Sequence, residues 1–232
     1  MASTTLANPS VSISTTAARL AIGASVSYQI LLIGLIFLRP DLDPSWHSIS
    51  EWAIGPFGWI MSGGFLLSAT SYAALFVMLR SQLQGTMGRI GLGILLICVI
   101  GAAGVGIFTT DPMPLQLPLS TIGTLHVIFG TSQLMLLPFA ALLINVSLAR
   151  KSPTWARARK VLLGSAGLPL FGFLGFAVYT AIFVAPLGPH AYGPGVNIGW
   201  PPRFAFLTYM LWLATLASQA IKCGVLGRAE AI

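Results

Sequence analysis

The chain has 232 residues, of which 56% are hydrophobic and only 7% are charged. A soluble domain carries about 25% charged residues, so this composition excludes a soluble enzyme, a disordered protein and an ordinary nucleic-acid-binding protein. The two cysteines, Cys98 and Cys223, lie in an apolar run and in the basic C-terminal tail, a placement that gives no disulfide framework and no zinc motif. We therefore expect one domain whose solvent is a lipid bilayer.

Six segments contain the roughly 20 mostly apolar residues that a membrane-crossing helix needs. They are Leu20–Leu38, Phe57–Leu79, Ile90–Phe108, Thr124–Leu148, Val161–Val184 and Phe204–Ile221. The chain thus divides into a polar N-terminal tail (1–19), a six-helix transmembrane domain (20–221) and a C-terminal tail (222–232). The six spans predict an all-α transmembrane bundle. Because the N-terminal tail lacks the basic start of a signal peptide, we expect the first helix to be retained.

The basic residues predict the orientation of this bundle. Six spans bring both termini to one side, where ten of the 12 Lys and Arg residues fall, and only Arg39 and Arg203 lie on the other side. Because basic loops stay in the cytoplasm, we expect both termini to be cytoplasmic and the protein to lie in a bacterial inner membrane. The net charge of +7 then reflects topology and contact with anionic lipid, with no nucleic-acid partner.

Glycines are frequent in the third and fifth spans, which contain Gly91, Gly93, Gly101, Gly104, Gly106, Gly164, Gly167, Gly172 and Gly175. Small residues let helices approach closely in lipid, which favours a compact bundle, although the same residues would also leave room for a ligand. Aromatic residues near the span ends, among them Trp52, Tyr192 and Trp200, are typical of anchors at the membrane interface.

The side chains with acid–base chemistry gather at the end of the bundle away from the termini. This end holds all three histidines and four of the five acids: His47, His126, His190, Asp41, Asp43, Glu51 and Asp111. Histidine titrates near neutral pH and is the commonest metal ligand, and carboxylates supply general acids and bases. The sequence therefore predicts that a functional site lies at this outer end.

The segment before the second span contains two of these side chains. His47 and Glu51 are four residues apart, so one helical turn places them on the same face. Ser48 and Glu51 also have the spacing of a capping box. The segment is therefore either a capped helix lying on the membrane surface or a His/Glu pair that lines the mouth of a pocket.

Three further candidates flank the other outer loops. Asp111 precedes Pro112 at the end of the third span, where it either caps a turn or serves as a ligand or base. His126 lies in the first turns of the fourth span and should face the interior with a partner, for which we expect Asp111. Arg203, at the start of the sixth span, either clamps an anionic group or neutralises the outer carboxylates.

Metal and pigment sites find little support in the spacing. His47, Glu51, Asp111, His126 and His190 are suitable ligand types, but no HxxxH or similar close pair occurs, so no metal site is predicted. A bis-histidine haem needs two histidines at matching depth on facing helices, but only His126 lies within a predicted span. The spans contain no lysine that could form a retinal Schiff base. The cofactor therefore stays unknown.

Three short stretches carry a family resemblance: Ser-Ile-Ser-Glu-Trp before the second span, Phe-Thr-Thr-Asp-Pro after the third and Thr-Ile-Gly-Thr-Leu-His at the start of the fourth. Together with the six spans, they resemble an uncharacterised bacterial membrane family catalogued as domain of unknown function 998, over about Leu20 to Ile221. The resemblance implies that Ser50, Glu51, Asp111 and His126 match family-like positions. It assigns no catalytic residue, because the function of that family is not established.

Three functions fit these patterns. In the first, an outer pocket binds a lipid or small amphiphile through His47, Glu51, Asp111, His126 and Arg203. In the second, an intramembrane hydrolase or transferase uses Asp111 and His126 as acid and base, with or without a metal. In the third, the protein is a non-catalytic subunit, an assembly factor or a small transporter. The expected partner is membrane lipid, and a membrane-protein partner or a second copy of the chain stays open.

Overall fold

The computed structural model describes residues 13–114, 116–151, 153–188 and 191–229. All regular secondary structure in these ranges is helical, and six helical spans are long and apolar enough to cross a membrane. The prediction of an all-α protein with six membrane-spanning helices is therefore confirmed.

Seven α-helices build the six spans: α1 (Thr15–Leu38), α2 (Gly58–Leu79), α3 (Thr86–Ile107), α4 (Thr121–Lys151), α5 (Arg159–Ser165), α6 (Gly167–Tyr179) and α7 (Trp200–Ala229). The fifth span is composed of α5, α6 and a π-helical turn at Thr180–Val184. A 3₁₀ helix at Ile49–Ala53, here called the loop helix, precedes α2. Two further 3₁₀ segments cover Pro153–Ala158 and Ala185–Leu187.

Several helices begin earlier than their apolar runs predict. α1 starts at Thr15, where the Ser14 hydroxyl caps the helix by accepting a hydrogen bond from the Ala17 N–H at 3.3 Å. α7 starts at Trp200 and takes Pro201 and Pro202 into its first turn. Proline is tolerated there because the first N–H groups of a helix have no intrahelical acceptor. Arg203 consequently lies inside α7.

The fifth span is broken near Ala166, between α5 and α6, whereas the sequence predicts one continuous helix. Pro169 supplies the physical reason. It has no N–H to donate to the carbonyl of Ser165, four residues earlier, and its ring crowds that carbonyl. The apolar run therefore predicts the span correctly, but it does not predict that Pro169 interrupts the backbone hydrogen bonds of the helix.

The six spans close into a ring. α1 packs against α2 and α7, α3 packs against α2 and α4, and α6 contacts both α4 and α7. The connections 39–57, 108–120 and 185–199 meet at one end of this ring, which we call the loop face. The opposite end, from which both described chain ends emerge, is called the terminal face.

The glycines of the two Gly-rich spans have different surroundings. In α3, a methyl group at Gly104 would overlap the ring of Phe129 on α4, so close packing accounts for this glycine. In the fifth span, a methyl group at Gly164 or Gly175 would meet nothing within 4 Å. Close packing therefore accounts for Gly104 of α3 and for Gly172 of the fifth span, where a methyl group would overlap Thr208 on α7, but not for Gly93, Gly164 or Gly175, whose surroundings are open.

Candidate functional site

The loop helix is inserted into the mouth of the ring. Trp52 is 1% exposed and its indole N–H donates to the Leu35 carbonyl of α1 at 3.3 Å. The same helix packs on α2 and contacts His126 of α4 and Arg203 of α7. The short helix predicted here is present, but it is buried among the spans and does not lie on the membrane surface. Trp52 is likewise no interfacial anchor.

Glu51 is a buried carboxylate that joins two loop-face connections. It accepts a hydrogen bond from the Ser48 backbone N–H at 2.5 Å, as the capping-box spacing predicts. Its other oxygen accepts from the Tyr192 hydroxyl at 2.6 Å and lies 3.9 Å from His47 Nε2. Burial, and then the bond to Glu51, raise the pKa of Tyr192 above its usual value. The predicted proximity of His47 and Glu51 is confirmed.

Arg203 reaches the same connection from α7. Its Nη1 donates to three backbone carbonyls, those of Pro44 at 3.2 Å, His47 at 2.9 Å and Gly199 at 2.7 Å. Its guanidinium lies 4.3 Å from the centroid of the Trp52 ring, which is within cation–π range. Arg203 therefore fixes the loop 39–57 against the start of α7.

The remaining edge of the Arg203 guanidinium is unused. Arg203 is only 6% exposed, yet its Nε and Nη2 atoms are buried and have no hydrogen-bond partner in the described part of the chain. This Nε–Nη2 edge is one that binds a carboxylate or a phosphate through two parallel hydrogen bonds. Arg203 forms no salt bridge with a carboxylate of the described residues, and Glu51, the outer carboxylate that attracts it electrostatically, does so without direct contact.

Arg39, the other basic residue of the loop face, provides a contrast. It donates to both oxygens of Asp41, at 2.9 Å from Nε and 2.7 Å from Nη2. Its Nη1 donates to the carbonyls of Ile54 and Pro56, each at 2.9 Å. The hydrogen bond from Arg39 lowers the pKa of Asp41. Arg39 thus has a carboxylate partner for the same edge that stays empty on Arg203.

His126 is 5% exposed and both of its ring nitrogens are engaged. Nδ1 lies 2.6 Å from the Phe108 carbonyl oxygen, and Nε2 lies 2.9 Å from the Ser50 hydroxyl. The prediction that His126 faces the interior with a partner is confirmed. The expected partner, Asp111, is wrong, because a backbone carbonyl and the loop helix occupy both nitrogens.

Asp111 instead binds Ser120, the residue before α4, whose hydroxyl caps the helix by accepting a hydrogen bond from the Gly123 N–H at 2.9 Å. Its carboxylate accepts from the backbone N–H of Ser120 at 2.8 Å and from the Ser120 hydroxyl at 2.5 Å, and it packs against Gly123. These bonds lower its pKa, with the hydroxyl as the first cause. Of the two roles predicted for Asp111, this geometry supports the structural one, in which the carboxylate closes the turn before α4 by holding Ser120.

His47 does not join a metal-binding group in the described part of the chain. The His47 ring lies 3.6 Å from the ring of Trp46, and its Nδ1 is 3.0 Å from the Asp43 carbonyl oxygen. His190 lies outside the described residues. In the ranges that are described, no three side chains of His, Cys, Asp or Glu come together as they would around a metal ion.

An apolar pocket of about 460 Å³ lies between α6 and α7 at the loop face. It is lined by Gly175, Phe176, Tyr179, Asn197, Trp200, Pro201 and Phe204. The Trp200 ring also lies 5.9 Å from the Arg203 guanidinium, so one residue of the pocket wall is a neighbour of Arg203. Gly175 was the sequence signal for it, as a small residue that leaves room for a ligand.

The fold and site define an integral membrane protein with six spans and a buried polar cluster at one end. The chain matches the family described as protein of unknown function, DUF998, over residues 21–219. This match covers most of the chain, so the protein belongs to that family. No curated protein and no solved structure matches it.

Proposed function

We propose that the protein binds a lipid or another small amphiphile at its loop face. The head group would bind the Nε–Nη2 edge of Arg203, and an apolar chain would occupy the pocket between α6 and α7. The observation that carries this proposal is the buried guanidinium edge without a partner. A buried donor that makes no hydrogen bond costs about 1–3 kcal/mol, and more when it is charged, so a ligand acceptor at this edge would stabilise the protein.

The pocket between α6 and α7 supports the amphiphilic character of the ligand. Its volume of about 460 Å³ falls within the roughly 300–1,000 Å³ typical of small-molecule sites, and aromatic and aliphatic groups dominate its lining. Trp200 contributes to the pocket and lies beside Arg203. An apolar chain in the pocket would therefore lie against Trp200, whose ring is 5.9 Å from the Arg203 guanidinium. Phosphate and carboxylate are the head-group classes that fit a guanidinium fork.

The location of the site rests on the charge distribution. Ten basic residues at the terminal face against two at the loop face favour cytoplasmic termini. We therefore place the loop face on the periplasmic side of a bacterial inner membrane. Fusions of green fluorescent protein and of alkaline phosphatase to the C-terminus test this orientation. A fluorescent fusion and an inactive phosphatase are expected, and an active phosphatase would contradict the assignment.

Filling the pocket tests ligand binding most directly. A Cβ atom added at Gly175 would meet nothing within 4 Å, so Gly175→Leu begins its four-carbon side chain at the pocket wall without a clash at Cβ. Gly164→Leu is the matched control, since Gly164 has equally open surroundings in the same span and does not line the pocket. We expect Gly175→Leu to lose co-purified lipid, measured by mass spectrometry after detergent extraction, while the control retains it. Equal lipid content in both variants would contradict the proposal.

Arg203→Lys tests the head-group contact. Lysine keeps the positive charge but cannot form two parallel hydrogen bonds. We expect a lower yield of phosphate- or carboxylate-bearing lipid and an unchanged yield of neutral lipid. Arg39→Lys is the comparison, because Arg39 already pairs with Asp41, and it should leave the lipid profile unchanged. A profile that stays constant in Arg203→Lys would remove Arg203 from the site.

A further inference from the structure

We infer that Ser50 and His126 form a nucleophile–base pair that cleaves a carboxylic ester at the loop face. The Ser50 hydroxyl oxygen lies 2.9 Å from His126 Nε2, although the two residues are 76 positions apart in the chain. A serine within hydrogen-bond distance of a histidine whose ring is held by a third group is the arrangement that activates serine nucleophiles.

The tautomer of His126 follows from its other partner. Nδ1 lies 2.6 Å from the carbonyl oxygen of Phe108, and a carbonyl oxygen can only accept a hydrogen bond. Nδ1 therefore carries the proton, and Nε2 of the neutral ring has a free lone pair. The Ser50 hydroxyl donates to that lone pair, which is the direction in which its proton must move for Ser50 to attack a carbonyl carbon.

Phe108 holds the His126 ring through a carbonyl that the end of α3 leaves free. Phe108 is the residue at which this helix ends, and its backbone has left the helical conformation. The last carbonyls of a helix have no intrahelical donor, so this one is available to His126. A carbonyl is neutral and stabilises the imidazolium less than the carboxylate of a Ser-His-Asp triad does, so we expect slow turnover.

The two side chains differ in accessibility as a nucleophile and its base should. His126 is 5% exposed, and the ring of Phe65 on α2 lies edge-on to it at 6.3 Å. Ser50 is partly exposed and lies on the loop helix, so an ester can approach it. The His126 ring is thus buried, and Ser50 is the partly exposed member of the pair, from whose side an ester and then water would approach.

The reaction has two halves that share one proton carrier. Ser50 Oγ forms a bond to the ester carbonyl carbon while its proton moves to His126 Nε2. The bond from that carbon to the alcohol oxygen then breaks, and the alcohol leaves with the proton from His126. Water next attacks the acyl carbon as its proton moves to His126 Nε2. The bond from that carbon to Ser50 Oγ then breaks and His126 returns the proton to Oγ, which releases the carboxylic acid and regenerates Ser50. Water is the second substrate, and no redox step occurs.

The same hydrogen bond could serve only to anchor the loop helix to α4, and a mechanism-directed probe separates the two roles. An alkyl fluorophosphonate forms a covalent bond to an activated serine oxygen and releases fluoride. We expect the purified full-length protein in detergent to carry the adduct on Ser50, located by peptide mass spectrometry. Ser120→Ala is the matched control, because Ser120 is an exposed loop-face serine bonded to a carboxylate and not to a histidine, and it should label like the wild type.

His126→Asn is the decisive variant. The asparagine amide can still donate to the Phe108 carbonyl, but nothing remains at the position of Nε2 to accept the serine proton. We expect labelling of Ser50 to slow about 100-fold or more, in line with the usual contribution of a general base, and hydrolysis of p-nitrophenyl esters to fall in parallel. A wild-type protein that does not label at Ser50, or a folded His126→Asn protein that labels at the wild-type rate, would overturn the inference.

Ser50→Cys keeps the inference testable if His126→Asn does not fold. A thiol beside a histidine base loses its proton below the ordinary cysteine pKa of about 8.5, so iodoacetamide should modify Cys at position 50 rapidly at pH 7. The native thiols, Cys98 and Cys223, are buried. A slow reaction that follows an unperturbed thiol would count against the pair. These readouts do not depend on the pocket between α6 and α7, so the inference and the proposed lipid site can fail separately.

Discussion

The Asp111 carboxylate accepts hydrogen bonds from both the backbone N–H and the hydroxyl of Ser120, at 2.8 Å and 2.5 Å. This pair closes the connection between α3 and α4 and places a negative charge at the start of α4. A carboxylate at a helix N-terminus is stabilised by the free N–H groups and the helix dipole. Asp111 therefore joins the end of α3 to the start of α4 through Ser120.

Asp111→Asn should lower the thermal midpoint at pH 7 and have little effect in acid. The folded-state pKa of Asp111 lies below its usual 3.8, so the carboxylate contributes its full stability above that value. The contribution is lost as the pH falls through the folded-state pKa. Thermal denaturation in detergent from pH 7 downwards should show the difference between the two midpoints narrowing once the pH falls below 3.8.

The Ser120 hydroxyl supplies the control for this prediction. In a Ser120→Ala background, Asp111 keeps only the backbone hydrogen bond, so Asp111→Asn should cost less than in the wild type. An Asp111→Asn protein with the same thermal midpoint as the wild type at pH 7 would show that the contact between Asp111 and Ser120 contributes nothing to stability.

The membrane-spanning architecture could be predicted because hydrocarbon thickness sets the length of an apolar run. The ends of the helices could be predicted less accurately than their number. The apolar run from Phe204 predicts the start of α7 four residues too late. Trp200 and the two prolines after it resemble a loop sequence, although they form the first turn of the helix. The break near Ala166 had a signal in Pro169, which the apolar composition of the span outweighed.

The candidate site was predicted as a region and not as a set of contacts. His126, Glu51 and Arg203 were expected at one end, and the structure buries all three there. Their partners could not be deduced, because they depend on how the loop helix enters the ring. Sequence proximity suggested Asp111 for His126, whereas the fold supplies the Phe108 carbonyl and a serine from another connection. A backbone carbonyl leaves no trace in the side-chain pattern.

Tyr192→Phe should destabilise the loop face by about 1.5–3 kcal/mol, the usual contribution of a hydrogen bond to a charged group. The Tyr192 hydroxyl donates to the buried Glu51 carboxylate at 2.6 Å, and phenylalanine leaves that oxygen without its donor. The Trp46 and Tyr192 rings pack edge to face at 5.0 Å, and phenylalanine preserves this packing. The free energy of unfolding from SDS titration in mixed micelles measures the change.

Tyr179→Phe is the control for this prediction. Tyr179 lies in the fifth span, and its hydroxyl does not donate to Glu51, which accepts from Tyr192 and Ser48. Its unfolding free energy should stay close to that of the wild type. If Tyr192→Phe also unfolds like the wild type, the bond to Glu51 does not hold the connection 185–199 to the loop helix.

Gly104→Ala should destabilise the protein by about 1–3 kcal/mol, the usual cost of overpacking a core. The added methyl group would overlap the Phe129 ring, which is itself stacked on Phe108 at 5.6 Å. Gly93→Ala, in the same helix, meets nothing within 4 Å and should be neutral or stabilising, because alanine is the better helix former. SDS titration compares the two variants, and equal stability would mean that α3 does not pack on α4 through Gly104.

Asn145→Leu should loosen the junction of α4, α5 and α7. Asn145 is fully buried. Its amide donates to the Leu162 carbonyl at 2.8 Å and to the Ser165 hydroxyl at 3.2 Å, and its oxygen accepts from the Trp212 indole N–H at 3.2 Å. Leucine has a similar volume but leaves that indole without an acceptor, which costs about 1–3 kcal/mol for a buried donor.

A double-mutant cycle with Trp212→Phe isolates the contact between Asn145 and Trp212. Phenylalanine removes the indole donor, so in its background Asn145→Leu should cost less than it does in the wild type. The difference between the two costs measures the hydrogen bond itself, apart from the volume lost on shortening the tryptophan ring. Costs that add without interaction, from unfolding free energies in the same mixed micelles, would show that α4 and α7 are held together by apolar packing alone.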